Sequence, residues 1–89
     1  MTETRDIRLK RLKMRSWHRG TQEMDLILGA FADSHLRDLS ERDLDIFERL
    51  LDEADQDLYR WMSGQTAPPE EFASIVGLIS GTLDALLSA

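Results

Sequence analysis

Hydrophobic residues recur every three to four positions along almost the whole chain, and no stretch alternates apolar and polar residues as a strand does. This periodicity predicts helices at residues 4–17, 21–33 and 41–54, a short fourth helix carrying Leu58, Trp61 and Met62 and capped by Asp55 or Asp57, and a last helix within residues 72–87. The connections between them are short. We therefore expect an all-α protein, a compact five-helix bundle, with one domain over residues 1–89.

The predicted helices differ in the quality of their apolar faces. In the first helix a broken stripe is formed by Ile7, Leu9, Leu12 and Met14. The continuous faces that predict the core are Met24, Ile27, Leu28 and Phe31; Leu44, Phe47, Leu50, Leu51 and Ala54; and Phe72, Ile75, Val76, Ile79, Leu83 and Leu86. Gly77 and Gly81 lie four residues apart in the last helix, which predicts close packing against another helix.

Local signals also predict how the helices begin and end. Residues 34–39 are expected to form a polar connection, and Ser40 is a good N-cap for the third helix. On the outer side of that helix, Asp45 and Arg49 have the spacing of an ion pair.

Charge is distributed very unevenly along the chain. The 89 residues carry 11 basic and 17 acidic side chains, a net charge of −6, but residues 1–19 carry +5 and residues 20–89 carry −11. The sequence therefore predicts a basic first helix and an acidic helical body, which would partly neutralise each other within the fold. The acidic body would repel a long polyanion, so nucleic acid is not the expected partner, and a protein with an acidic surface fits better.

The same pattern gives an expected location. The charged first residues do not lead into the apolar segment of a secretory leader. The most apolar stretch, residues 72–87, is too short and too polar to span a bilayer. We expect no membrane insertion and a cytoplasmic protein, and the absence of cysteine is compatible with that compartment.

Residues with catalytic or metal-binding potential are sparse. The two histidines, His18 and His35, lack the spacing of metal ligands, and no serine lies in a nucleophile-elbow motif. Neither a glycine-rich phosphate loop nor a calcium-binding loop occurs. Catalytic residues and metal ligands are both predicted to be absent, and a binding protein is a better hypothesis than an enzyme.

The segment Arg19-Gly20-Thr21-Gln22-Glu23 allows two interpretations. In the first, Gly20 only supplies a turn and is the N-cap of the second helix, with Glu23 reaching back to a backbone N–H. In the second, a cation and an anion flank a bare backbone that a partner protein could approach closely. Leu26 lies off the apolar face of its helix, so it either contacts another helix or is an exposed apolar anchor near Glu23.

Two segments of the chain carry a family resemblance. Residues 15–29, RSWHRGTQEMDLILG, contain the pattern R-G-x-x-E-x-D, and DLYRWMSG at 57–64 is followed by PPEEF at 68–72. In this order the two blocks resemble the flavinylation factors of succinate dehydrogenase, and together they span most of the chain. The sequence departs from the family pattern at His18, where a second arginine is common, and at Thr21, where methionine is common.

The resemblance implies a five-helix bundle that binds the flavoprotein subunit of succinate dehydrogenase or of fumarate reductase and promotes covalent attachment of FAD to it. FAD would belong to this client protein, and the chain itself would bind no cofactor firmly. The matched signature positions are Arg19, Gly20 and Glu23, with Asp25 as a supporting member. The expected role is that of a chaperone-like assembly factor, not an enzyme.

Within this hypothesis the basic first helix, through Arg8, Arg11 and Arg15, would steer the protein toward an acidic client surface. An antitoxin-like regulatory interaction module is the alternative, and it predicts binding to another protein with no effect on covalent flavin. A nucleic-acid binder is the further alternative and predicts a steep salt dependence of affinity. We expect a monomer, although Leu26 or Leu78 could mark a dimer face and leave the oligomeric state open.

Overall fold

The computed structural model describes residues 3–88, except for the side chain of Leu86. The helices are α1 (Arg5–Trp17), α2 (Gln22–His35), α3 (Glu41–Leu50), α4 (Asp55–Met62) and α5 (Ala73–Ser88), with one-turn 3₁₀ helices at Leu36–Asp38 and Glu70–Phe72. Residues 3–88 contain no strand. The predicted all-α, five-helix bundle is confirmed, and its radius of gyration, 12.5 Å, is close to the value of about 12 Å expected for a compact chain of this length.

The interior is one cluster of apolar side chains to which every helix contributes. Its members with no exposed surface are Leu12, Leu28, Phe31, Leu44, Phe47, Leu50, Leu58 and Ile79. The rings of Phe31 and Phe47 join α2 to α3 at a centroid distance of 5.6 Å. Burial of each large apolar side chain contributes about 1.5 to 3 kcal/mol, so this cluster is the main source of stability.

The predicted core faces of the second, third and last helices are confirmed at most positions. Ile27 and Leu83 are half-buried, Ala54 is exposed, and the side chain of Leu86 lies outside the described residues. Gly77 and Gly81 are exposed, and a Cβ on either would meet no atom within 4 Å. The predicted close packing at these two glycines is therefore wrong, because they lie on the outer side of α5.

The first helix packs mainly against α2. Its predicted apolar stripe is only partly confirmed: Leu12 is buried and Leu9 half-buried, but Ile7 and Met14 are exposed on the opposite side. Instead, Ser16 is buried beside Leu12 and donates a hydrogen bond to the Leu12 carbonyl at 2.8 Å.

A close contact fixes the end of α1 on α2. The Trp17 indole lies on Gly29, and a Cβ at that glycine would be 2.2 Å from the ring. The indole Nε1 also donates to Asp33 at 3.3 Å. Gly29 is therefore a packing requirement at the α1–α2 interface.

Two predicted boundaries are wrong for reasons of burial. Residues 34–39 are not a polar connection, because α2 continues to His35, the following 3₁₀ helix buries Leu36, and Leu39 at its C-cap is buried too. The third helix ends at Leu50 rather than at Ala54. Its last turn is replaced by a tight loop that buries Leu51 and leaves Ala54 as the N-cap of α4.

Side-chain caps begin three of the helices. Thr4, Thr21 and Ser40 each accept a hydrogen bond from the backbone N–H three residues on. The Ser40 cap is confirmed. The Gly20 cap of the first interpretation is not formed, since Thr21 takes that position. α4 begins at Asp55 with Ala54 as its N-cap, so the predicted aspartate cap is wrong. No helix within residues 3–88 is long and apolar enough to cross a membrane.

Candidate functional site

The candidate site is the corner between α1 and α2, which we define as residues 18–25. Gly20 has a φ of 106°, a backbone conformation that side chains with a Cβ rarely adopt, and this allows the chain to reverse between the two helices. The Thr21 hydroxyl then accepts from the Met24 N–H at 3.3 Å and begins α2. Glu23 and Asp25 follow in the first turn, where the helix dipole favours negative charge.

Arg19 turns away from solvent and joins the corner to the loop between α3 and α4. Its side chain is only 12% exposed, and its guanidinium lies 2.9 Å from the Asp55 carboxylate. It also donates to the Leu51 carbonyl and, at 2.7 Å, to the Glu53 carbonyl. Carbonyls at the end of a helix lack partners within the helix, so Arg19 both caps α3 and anchors α4.

Asp25 supports the corner from the other side. Its carboxylate accepts a hydrogen bond from the Arg19 backbone N–H at 2.5 Å, which ties the first turn of α2 to the residue before Gly20. Asp25 and Arg19 therefore act on the shape of the corner, whatever either contributes to a partner.

The outward side of the corner presents a different set of residues. Gly20 and Glu23 are exposed, and no hydrogen bond or ion pair of the Glu23 side chain occurs among the described residues. Leu26, one turn along α2, is 53% exposed. Of the two alternatives for Leu26 the structure shows the exposed one, and its use as an apolar anchor stays a prediction.

An open groove of about 510 Å³ lies beside the corner, between the start of α2 and α4. Its walls include Thr21 and Glu23 from the corner and Gln56 and Tyr59 from α4. Tyr59 is 46% exposed although it is aromatic. The groove therefore continues the exposed surface of Gly20 and Glu23 onto α4.

The arginines of α1 lie on a separate surface, the ion-pair face, where they meet the acidic side of α3. Arg8 contacts Asp45 at 2.6 Å and Glu48 at 3.1 Å. Arg11 contacts Glu48 at 2.9 Å and Glu3 at 2.8 Å. The remaining contacts of this face join Arg5 to Glu41, Arg8 to Glu41 and Arg15 to Asp52.

These contacts show where the positive charge of the first helix is neutralised within the chain. The partner of Asp45 is Arg8, so the predicted pair within α3 with Arg49 is not formed. The predicted internal neutralisation of the basic helix by the acidic body is confirmed in detail. The predicted role of Arg8, Arg11 and Arg15 in steering toward a partner stays a prediction, and all three already have carboxylate partners inside the chain.

Hydrogen bonds within the ion-pair face also shift the pKa values of the groups that form them. The hydrogen bond from Arg11, with a smaller contribution from Arg8, lowers the pKa of the Glu48 carboxyl below its ordinary value, against a smaller effect of burial. A hydrogen bond from Arg11 lowers the pKa of Glu3 in the same way. The hydrogen bond to Asp45 raises the pKa of Arg8.

A larger depression of about 610 Å³ between α1 and the end of α2 is a weaker candidate. Lys13 and Asp33 line it and pair with each other at 3.1 Å, so it favours neither sign of charge. No group of three or more potential metal-ligating side chains occurs among the described residues. Across residues 3–88, every buried polar side-chain atom has a hydrogen-bond partner.

Two features of these surfaces were missed by sequence reasoning. The acidic stripe of α3 has the spacing i, i+4, i+7 at Glu41, Asp45 and Glu48, and its match to the arginines of α1 was a readable signal. Tyr59 belongs to the second block of the family resemblance, at 57–64, but only the fold shows that it reaches the same groove as Glu23.

Comparisons with known proteins all identify the same family. Residues 10–82 match the model of a family described as the flavinator of succinate dehydrogenase. The chain is 39% identical over 72 residues to the mitochondrial succinate dehydrogenase assembly factor 2 of Mycosarcoma maydis, covering 81% of this chain and 30% of that protein. It is 36% identical over 67 residues to the FAD assembly factor SdhE of Acetobacter pasteurianus, covering 75% of this chain and 62% of that protein.

A yeast relative is similar over a shorter region. The mitochondrial succinate dehydrogenase assembly factor 2 of Meyerozyma guilliermondii is 48% identical over 59 residues, which cover 66% of this chain and 44% of that protein. The matched region thus amounts to less than two thirds of the length of each of these relatives.

Proposed function

Because the chain belongs to the family of succinate dehydrogenase flavinators, we propose that it is an assembly factor that binds the flavoprotein subunit of succinate dehydrogenase or fumarate reductase and promotes covalent attachment of FAD. The observation that carries this proposal is the position of the corner. It lies within the matched region, residues 10–82, and presents Gly20 and Glu23 to solvent. A cytoplasmic, monomeric protein is part of the same proposal.

The proposed mechanism is positional. In this proposal FAD becomes attached to a histidine of the client, so both reacting groups belong to the client. The assembly factor then only has to hold the client where these groups meet at a reactive distance of about 3 to 3.5 Å. The corner suits this task because Arg19 and Asp25 fix its shape from inside while Glu23 stays available. FAD is the client's cofactor in this proposal and not a resident group of the chain.

The test is covalent flavin incorporation in cells that lack their own flavinator. The flavoprotein subunit is co-expressed with the wild-type chain, with Glu23→Ala or with no partner, and covalent flavin is read by in-gel fluorescence. The wild-type chain is expected to raise covalent flavin well above background, and Glu23→Ala is expected to lose most of that gain.

The matched control is Glu70→Ala, which removes another exposed carboxylate that lies outside the corner and its groove. It is expected to behave like the wild-type chain. Thermal unfolding checks that both variants are folded. No rise in covalent flavin with the wild-type chain would contradict the function, and normal incorporation with folded Glu23→Ala would contradict the site.

A further inference from the structure

The groove beside the corner carries one charged side chain that has no partner among the described residues. The charged side chains that line it are Glu23, Asp55 and Arg60. Two of them are already paired, Asp55 with Arg19 at 2.9 Å and Arg60 with Asp57 at 3.5 Å. The exposed carboxylate of Glu23 on the wall of the groove therefore favours a cationic ligand group.

The groove also offers an aromatic surface for such a group. Tyr59 lines the groove and is 46% exposed, and Gln56 and Gln65 add side-chain amides that are able to bind a peptide backbone. A guanidinium or ammonium group is attracted to the face of an aromatic ring and forms charge-assisted hydrogen bonds with a carboxylate. Tyrosine is also enriched among the residues that dominate binding energy in interfaces.

We infer that this groove receives an arginine- or lysine-bearing segment of the client flavoprotein, with Glu23 pairing its charge and Tyr59 contacting its side chain. The inference rests on the proposed function, because it names the complementary feature of that client. It reverses the partner charge expected from the sequence. The arginines of α1 that suggested an acidic partner pair with carboxylates of the chain itself, whereas Glu23 lies exposed on the groove.

The first test measures affinity for the purified flavoprotein subunit by biolayer interferometry. Glu23→Lys places a cation in the groove and is expected to weaken binding at least about tenfold, and Tyr59→Ala by about tenfold. Tyr59→Phe keeps the ring and is expected to stay within about threefold of the wild-type chain. Glu70→Lys makes the same charge change outside the groove and is the control.

The second test identifies the occupant directly. A photoreactive amino acid replaces Gln56, which lines the groove but leaves Glu23 and Tyr59 intact. After irradiation with the purified flavoprotein subunit, the cross-linked client peptide is identified by mass spectrometry. A peptide with arginine or lysine at or next to the cross-linked residue is expected, and an acidic or purely apolar peptide would overturn the inference.

The outcomes separate this inference from the proposed function. A wild-type chain that neither binds the flavoprotein nor raises covalent flavin overturns both. If the wild-type chain does both, and folded Glu23→Lys and Tyr59→Ala bind equally well, only the groove is overturned. Tighter binding by Glu23→Lys would mean an acidic occupant and would also overturn it. The exposed positions of Glu23 and Tyr59 make unfolding of these variants an unexpected result, which circular dichroism checks.

Discussion

The ion-pair face and the corner use charged residues in opposite ways. On the ion-pair face, arginines of α1 lie against carboxylates of α3, so that positive and negative groups neutralise each other within the chain. At the corner, Arg19 is the partly buried partner of Asp55 and two loop carbonyls, while Glu23 remains exposed. The first surface is closed by its own contacts, and the second is open to a partner.

The difference shows that the charge of a segment does not indicate the charge of its partner. The first 19 residues carry +5, yet their arginines are distributed over contacts with the rest of the chain. A partner protein that reaches the corner encounters the charged side chain that is not paired within the fold. Beside the groove this is the carboxylate of Glu23, which is exposed and has no hydrogen bond or ion pair among the described residues.

Arg19 joins the corner to the loop between α3 and α4, and its removal is expected to have the largest effect on stability. Arg19→Ala leaves the carbonyls of Leu51 and Glu53 and the carboxylate of Asp55 without their donor in a partly buried setting. We expect the free energy of unfolding to fall by about 2 to 3 kcal/mol, measured by urea denaturation. The melting temperature should fall by roughly 10 to 20 °C.

The control for Arg19 is Arg49→Ala, which removes an exposed arginine of α3. Its expected effect is within about 0.5 kcal/mol, as for most surface substitutions. A loss of similar size in both variants would mean that Arg19 acts only through the net charge of the protein. The distinction between an inward arginine and an outward glutamate at the corner would then fail.

A second prediction asks how α1 is held beside the ion-pair face. If packing on α2 matters as much as the arginine contacts, Gly29→Ala should destabilise the protein, because the added Cβ would lie 2.2 Å from the Trp17 ring. We expect a loss of about 1 to 3 kcal/mol in urea denaturation. The matched variant Gly81→Ala, with open space at the same kind of helical position, should gain about 0.5 to 1 kcal/mol.

If Gly29→Ala is as stable as the wild-type chain, the indole moves aside without loss and α1 is held chiefly by its ion pairs. That result would make the ion-pair face more important than the structure suggests. A loss of stability in Gly81→Ala would instead show that the added methyl group meets other atoms on the outer side of α5 in solution.

Most of the fold could be predicted from the sequence because helical periodicity is a local signal. The faces containing Phe31, Phe47 and Ile79 were identified correctly, since a residue's position on a helix follows from its spacing alone. The predicted ends of α2 and α3 were wrong, because burial of Leu36, Leu39 and Leu51 depends on neighbouring helices and has no local signature.

Residues of the candidate site could be selected from the sequence, but the orientation of their side chains could not be predicted. The signature identified Arg19, Gly20 and Glu23 as neighbours, which follows from their closeness in the chain. Whether Arg19 faces solvent depends on the loop between α3 and α4, which lies more than 30 residues away in sequence. The groove at Tyr59 has the same origin, because two segments that are distant in the chain form its walls.

The ion-pair face also gives the protein a specific dependence on pH. Glu48 accepts hydrogen bonds from Arg11 and Arg8, and the Arg11 bond in particular lowers the pKa of its carboxyl below the ordinary value of 4.5. A group whose pKa is lower in the folded state binds protons more readily in the unfolded state. Its contribution to stability is therefore complete above about pH 4.5 and is lost as the pH falls through the folded-state pKa.

Glu48→Gln is expected to have the smallest effect, a loss of about 1 kcal/mol at pH 7 as measured by urea denaturation, because the pairs are only partly buried. The difference from the wild-type chain should shrink as the pH is lowered below 4.5, since wild-type Glu48 then becomes neutral too. Glu70→Gln, outside the ion-pair face, should match the wild-type chain at pH 7. A Glu48→Gln difference that stays constant or grows on acidification would show that the side chain stabilises the protein by packing rather than by its charge.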